Sequence, residues 1–201
     1  MGKRPSGSRP PSRSSPRPAN IALQKAALLS RYPASSVSAS RAELVWHGSL
    51  TPTEFSWTYE VLISHQIDGP PPLVYVARPH LGPVNGLRLP HVYPLNTLCL
   101  YYGSREWNSS MLIANTLVPW TAEWLAHHEV WLATGGDWHG GGVHDQASGN
   151  VPPEKAEDEA RRREDHLRRK VARLERALRL AYGQGCDLEE LLYNAQFAPA
   201  K

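Results

Sequence analysis

Apolar residues along this 201-residue chain recur with two different periods. Ile21, Leu23, Ala27, Leu28 and Leu29 lie mostly along one side of a helix over 20–31. Tyr32 and Pro33 stop it, because the residue before a proline is pushed out of the helical region. Residues 42–48 read as a strand with Leu44 and Trp46 on one face, followed by a turn through Gly48, Thr51 and Pro52. Strict alternation then runs over 55–64, where Phe55, Trp57, Tyr59, Val61 and Ile63 predict the inner face of a half-buried antiparallel strand. Asp68 and Gly69 make the next turn, and Leu73 to Ala77 give the third strand of a meander.

Residues 78–90 read as a loop from their proline and glycine. His91 to Tyr102 is apolar around a cysteine but follows neither period. Helical spacing returns near Pro119, with Thr116 as a cap, and Trp120, Trp124, Leu125, His128, Trp131 and Leu132 form a wide aromatic face. Gly135 and Gly136 end this helix. After Pro152 and Pro153 comes a long helix over 154–182, crowded with Glu and Arg. Its seam of Leu167, Val171, Leu174, Leu178 and Ala181 is barely two heptads, open to a coiled-coil partner, to its own domain or to solvent. Gly183 and Gly185 close it, and 187–197 read as a last short helix capped by Asp187.

Composition places a boundary before the first helix. Residues 1–18 hold Lys3, Arg4, Arg9, Arg13 and Arg17 with no acidic residue, among Ser, Gly and Pro. Too little apolar surface is present there to offset the entropy of ordering, so a disordered, solvated basic arm is expected. A nucleic-acid contact by that arm would show binding that falls steeply with salt, and the net charge of +3 does not by itself call for it. No run approaches the roughly 20 apolar residues of a membrane span, and a soluble cytoplasmic protein with no membrane contact is expected. With two cysteines, Cys99 and Cys186, no disulfide framework is expected.

The candidate chemistry gathers in the irregular segment. Leu98-Cys99-Leu100, with Trp107 eight positions on, resembles the Ile/Leu-Cys-Leu active site of ubiquitin-conjugating enzymes. The proline-flanked strand from Pro70 to Pro79 resembles that family's strand before its active-site loop. The likeness is closest to the bacterial branch encoded in type II CBASS antiphage operons beside cGAS-like nucleotidyltransferases. It rests on Trp46 and Gly48, His91 and Tyr93, Leu98 to Tyr101, Pro119-Trp120, Trp124-Leu125, Thr134-Gly135 and Trp138, and covers roughly residues 40–145. The eukaryotic His-Pro-Asn pattern is absent, and its Asn position, eight before the cysteine, holds His91.

The resemblance implies an α+β ubiquitin-conjugating-like fold, an antiparallel meander flanked by helices, over 19–150. A helical extension with the long charged helix would follow over 151–201. It implies that Cys99 accepts a protein C-terminus as a thioester and passes it to an amine. Such a thiol must ionise and be exposed to a bulky partner. The cargo would be a cGAS-like nucleotidyltransferase or a ubiquitin-like protein, and the adenylating enzyme that activates it would be a separate chain or, as in short versions of such operons, absent. His91 would hydrogen-bond the oxyanion, position the thiol, or act as base toward the amine.

Plainer readings stand beside these. Free cysteine is often a small buried hydrophobe, and His91 can be a loop residue bonded to backbone. Tyr93 and Asn96 are read as holding the loop in shape. A non-catalytic adaptor of the same fold, docking the same partners, is the rival function. His127, His128, His139 and His144 are poorly spaced for zinc, and no metal site is expected. Gly140 to Gly142 resemble no phosphate loop, so no cofactor is expected and the run is read as a turn that folds Trp138 back onto the domain.

Overall fold

Asn20 opens the first helix: its side chain accepts from the Leu23 amide at 2.8 Å, satisfying one of the orphan donors of the first turn. The computed structural model describes residues 18–82, 86–101, 106–140 and 153–183, the side chains of 153–160 and 163 excepted. Among them are three α-helices, α1 (Ile21–Arg31), α2 (Leu117–Thr134) and α3 (Pro153–Tyr182). The strands are β1 (Ser36–Ala39), β2 (Glu43–Leu50), β3 (Tyr59–Gln66), β4 (Leu73–Arg78), β5 (Val92–Tyr93) and β6 (Thr97–Leu98). They form one antiparallel sheet in the order β1-β2-β3-β4-β6-β5. The architecture is thus α+β, with a four-stranded meander extended by a two-residue hairpin.

Alternation along the strands sends side chains into two separate cores. Leu44 and Trp46 of β2, Tyr59, Val61 and Ile63 of β3, and Val74 and Val76 of β4 pack with α1 and α2 on one face. Val45, Leu62, Leu73, Tyr75 and Ala77 face the other way and are covered by Leu174, Ala177 and Leu178 of α3. A fully buried leucine contributes about 1.5–3 kcal/mol, so this second core is substantial. It also corrects the half-buried reading of β3, since Leu62 and Ser64, placed on the solvent face by alternation, are fully buried. The seam of α3 is taken up from Val171 onward by its own domain, while Leu167 stays 39% exposed.

The start of β3 is a second correction. Phe55 is 90% exposed and Trp57 58% exposed, and the strand begins only at Tyr59. The Glu129 carboxylate on α2 explains why. It accepts from Ser56 Oγ at 2.7 Å, Trp57 N at 3.0 Å and the Tyr59 hydroxyl at 3.0 Å, pinning 56–59 to the helix instead of the sheet. Strand β2 runs through Gly48, where a turn was expected. Gly48 is needed there because a Cβ would run into the Trp46 indole, itself held by Ser35 Oγ at 2.8 Å.

Gln24, which interrupts the apolar side of α1, is fully buried and fully used. Its amide donates to Met111 O at 2.8 Å and accepts from Ile113 N at 2.9 Å, tying α1 to the 3-10 turn before α2. Thr116 precedes α2 but does not cap it by side chain. Its hydroxyl donates to Leu112 O at 2.8 Å and accepts from Trp107 Nε1 at 3.2 Å. Gly135 ends α2 in the left-handed conformation that favours glycine, at φ 75°. The helix expected over 187–197, Cys186 and His144 lie outside the described residues.

Candidate active site

The irregular reading of 91–102 has a structural cause. Strands β5 and β6 form a hairpin of two residues each, pairing Val92 with Leu98 and Tyr93 with Thr97, and a 3-10 turn over Pro94–Asn96 joins them. His91, Leu95 and Asn96 all take positive φ, at 52°, 68° and 50°. Such backbone is costly for side-chain-bearing residues and persists only where surroundings enforce it. Here Leu95 is held in the α3 core, and buried Asn96 donates to Leu81 O at 3.4 Å.

Cys99 follows β6, and its amide donates to the His91 carbonyl at 3.0 Å. The hairpin therefore brings Cys99 and His91 to adjoining backbone positions. The Cys99 thiol donates to the Tyr93 hydroxyl at 3.1 Å. Cys99 keeps only 9% of its surface, so the expectation of an exposed thiol is corrected. Tyr93, whose hydroxyl meets the sulfur, is itself 49% exposed.

His91 is partly buried, and its ring lies against Trp138 with centroids 5.2 Å apart. Trp138 in turn packs on Trp124 at 5.5 Å and His127 at 6.0 Å. The fold-back of Trp138 is present, and Gly140 permits it: a Cβ there would lie 2.7 Å from the indole. The tryptophan thus connects the histidine to the aromatic face of α2.

Helix α3 supplies the neighbours that the sequence reading missed. Lys170 Nζ sits 5.1 Å from the centre of the Tyr93 ring, the geometry of a cation–π contact. Burial pulls the Lys170 pKa down to about 8, Arg173 pushes the same way, and Cys99 opposes them. Arg173 anchors the helix, donating to Ser64 Oγ at 3.1 Å, to Pro71 O at 2.8 Å and to Ser64 O. Arg176 pairs with Glu43 at 2.7 Å, and the Tyr182 hydroxyl donates to Glu60 at 2.6 Å. The only hint in the sequence was that Lys170, Arg173, Leu174 and Ala177 fall on one side of the helix at steps of three and four.

His128 belongs to the core of α2. It stacks on Trp124 and Trp131 at 5.7 and 6.1 Å and meets the edge of Tyr59. Among the described residues, no group of three or more His, Cys, Asp or Glu side chains is arranged to hold a metal ion. Nor is any described helix long and apolar enough to cross a membrane.

A family model described as type II CBASS E2 protein matches residues 24–145. Comparison with curated proteins returned no match. The family match runs from α1 through α2, takes in His91, Tyr93, Cys99 and Trp138, and spans more than half of the sequence. The chain therefore belongs to the family of type II CBASS E2 proteins.

Proposed function

We propose that this protein is a ubiquitin-conjugating-like acyl carrier of a bacterial antiphage system, built on a ubiquitin-conjugating-like domain over 19–150. The basic arm of 1–18 precedes that domain and the helical extension of 151–201 follows it. Cys99 takes an activated protein C-terminus as a thioester and hands it to an amine. The protein works in the cytoplasm, its cargo is the C-terminus of a cGAS-like nucleotidyltransferase or of a ubiquitin-like protein, and a separate adenylating enzyme activates that cargo. The observation that carries this reading is the thiol itself, bonded to the hydroxyl of half-exposed Tyr93 within the family-matched segment.

A thiolate attacks the activated carbonyl, and the leaving group departs from the collapsing tetrahedral intermediate. Tyr93 is placed to turn its O–H toward the sulfur once the thiol has lost its proton. His91, joined to Cys99 through the backbone, is assigned to the oxyanion or to positioning first, and to proton removal from the amine second. The test is mass spectrometry of the protein recovered from cells under non-reducing conditions. A protein adduct on Cys99 that reducing agent removes is expected, with a reductant-stable ester in Cys99→Ser and none in Cys99→Ala.

A second reading, a non-catalytic adaptor that docks the same partners, is favoured by the 9% exposure of Cys99. Cells in which the nucleotidyltransferase co-purifies with wild type and with Cys99→Ala alike, with no adduct on either, would select it.

A further inference from the structure

We propose that Lys170 is an internal acceptor for the acyl group carried on Cys99, which makes α3 a modification site of this same chain. The proposal rests on the carrier reading and names one amine that the site serves. Lys170 lies outside the family-matched residues 24–145, so it belongs to the extension rather than to the shared domain.

Placement comes first. The ammonium sits over the ring of Tyr93, and the hydroxyl of that same ring holds the Cys99 thiol at 3.1 Å. One tyrosine therefore touches both the amine and the sulfur. The helix cannot drift easily from this register, because Arg173 and Leu174, three and four positions on, lock the same side of α3 to β3 and to the second core. Holding an amine beside an acyl group replaces a bimolecular encounter with an intramolecular one, for which effective concentrations far exceed those of a free acceptor.

Reactivity comes second. Only the neutral amine attacks a thioester. An ordinary lysine, with a pKa near 10.4, is less than about one part in a thousand neutral at pH 7. With its pKa near 8, set chiefly by burial, roughly a tenth of Lys170 is neutral there. The transfer balances without another reactant: the Nζ–C bond forms, the C–S bond breaks, and the proton lost by nitrogen passes to the departing sulfur. Cys99 is restored as a thiol, and an isopeptide bond is left on α3.

The purified full-length chain can be charged with a short synthetic peptide bearing a C-terminal alkyl thioester, which exchanges onto Cys99 and needs no adenylating enzyme. In wild type, a reductant-labile adduct on Cys99 is expected to convert to a reductant-resistant one, mapped to Lys170 by tandem mass spectrometry. Lys170→Arg is expected to accumulate the labile adduct and to lose the resistant one. Cys99→Ala is expected to yield neither. A labile adduct in wild type that never appears on Lys170 would overturn the internal-acceptor assignment and leave the carrier reading standing. Modification of Lys170 in Cys99→Ala would also overturn it, by showing direct reaction with the peptide. Failure of every form to load Cys99, with the thiols intact, would remove the carrier reading and this assignment together.

Discussion

The Cys99 thiol gives its hydrogen to Tyr93 in the resting protein, and ionisation reverses that relation, since a phenol hydroxyl is a donor to an anionic sulfur. A hydrogen bond to a charged group contributes about 1.5–3 kcal/mol, so Tyr93→Phe should slow peptide-thioester loading of Cys99 by roughly ten- to a hundredfold. The ring would remain to carry Lys170, and the fold should be unaffected. Stopped-flow loading rates check this, and an unchanged rate would mean that the bond matters only at rest. Cys99 could be singled out by its Leu-Cys-Leu motif, and His91 only by standing eight residues before it where the usual pattern has Asn. The partnership of Tyr93 could not, since it depends on a tight turn in which Leu95 and Asn96 take positive φ, a conformation no hydrophobic period announces. Lys170 was still less accessible, because helix docking alone brings it there.

Among the elements, α3 reaches the neighbourhood of the thiol through Lys170, which lies over the ring whose hydroxyl holds the sulfur, and it is predicted to shield Cys99. Its last three turns are held by Leu174, Ala177 and Leu178 and by Arg173, Arg176 and Tyr182. Leu174→Ala removes a fully buried side chain, a change that costs about 2–5 kcal/mol in a packed core. If the loss falls on the docking of α3, the undocked population rises by on the order of tenfold per 1.4 kcal/mol, and Cys99 should alkylate faster in proportion. Iodoacetamide labelling, with Cys99 resolved from Cys186 by peptide mapping, measures this, and an unaltered rate would show that α3 does not shield the thiol. Long, strongly periodic elements were legible beforehand: α1, α2, α3, β2 and β4 all form where their patterns place them, although Leu23 and Leu29 of α1 are exposed and β2 continues past Gly48. Strand β1, with its Ser-Val-Ser-Ala sequence, and the two-residue strands β5 and β6 carried too little period to be seen. The start of β3 was misplaced because Phe55 and Trp57 continue its alternation, while the competing bonds come from Glu129 on a helix far along the chain.

For the molecule as a whole, acid should act through the aromatic core that backs the site. His128 is buried against Trp124, Trp131 and Tyr59, and its pKa is lowered from 6.5 to about 4, chiefly by burial, with neighbouring Glu129 opposing. The unfolded chain thus binds a proton at a higher pH than the folded one, and stability must fall as pH falls between these values. The stabilising contribution of the neutral ring is whole above pH 6.5 and is lost progressively down to pH 4, where the deficit reaches about 3 kcal/mol. His65, buried with both nitrogens unpaired and lowered by burial and then by Arg173, adds a loss of the same sign below pH 6.5. His128→Phe keeps a flat ring among the aromatics and removes the proton-binding group. Urea unfolding at pH 7 and pH 4 should therefore show a markedly smaller drop in stability for His128→Phe than for wild type, with both close together at pH 7. An equal drop in the two proteins would mean that acid enters elsewhere, and that the wall of tryptophans behind His91 and Trp138 does not depend on a neutral imidazole.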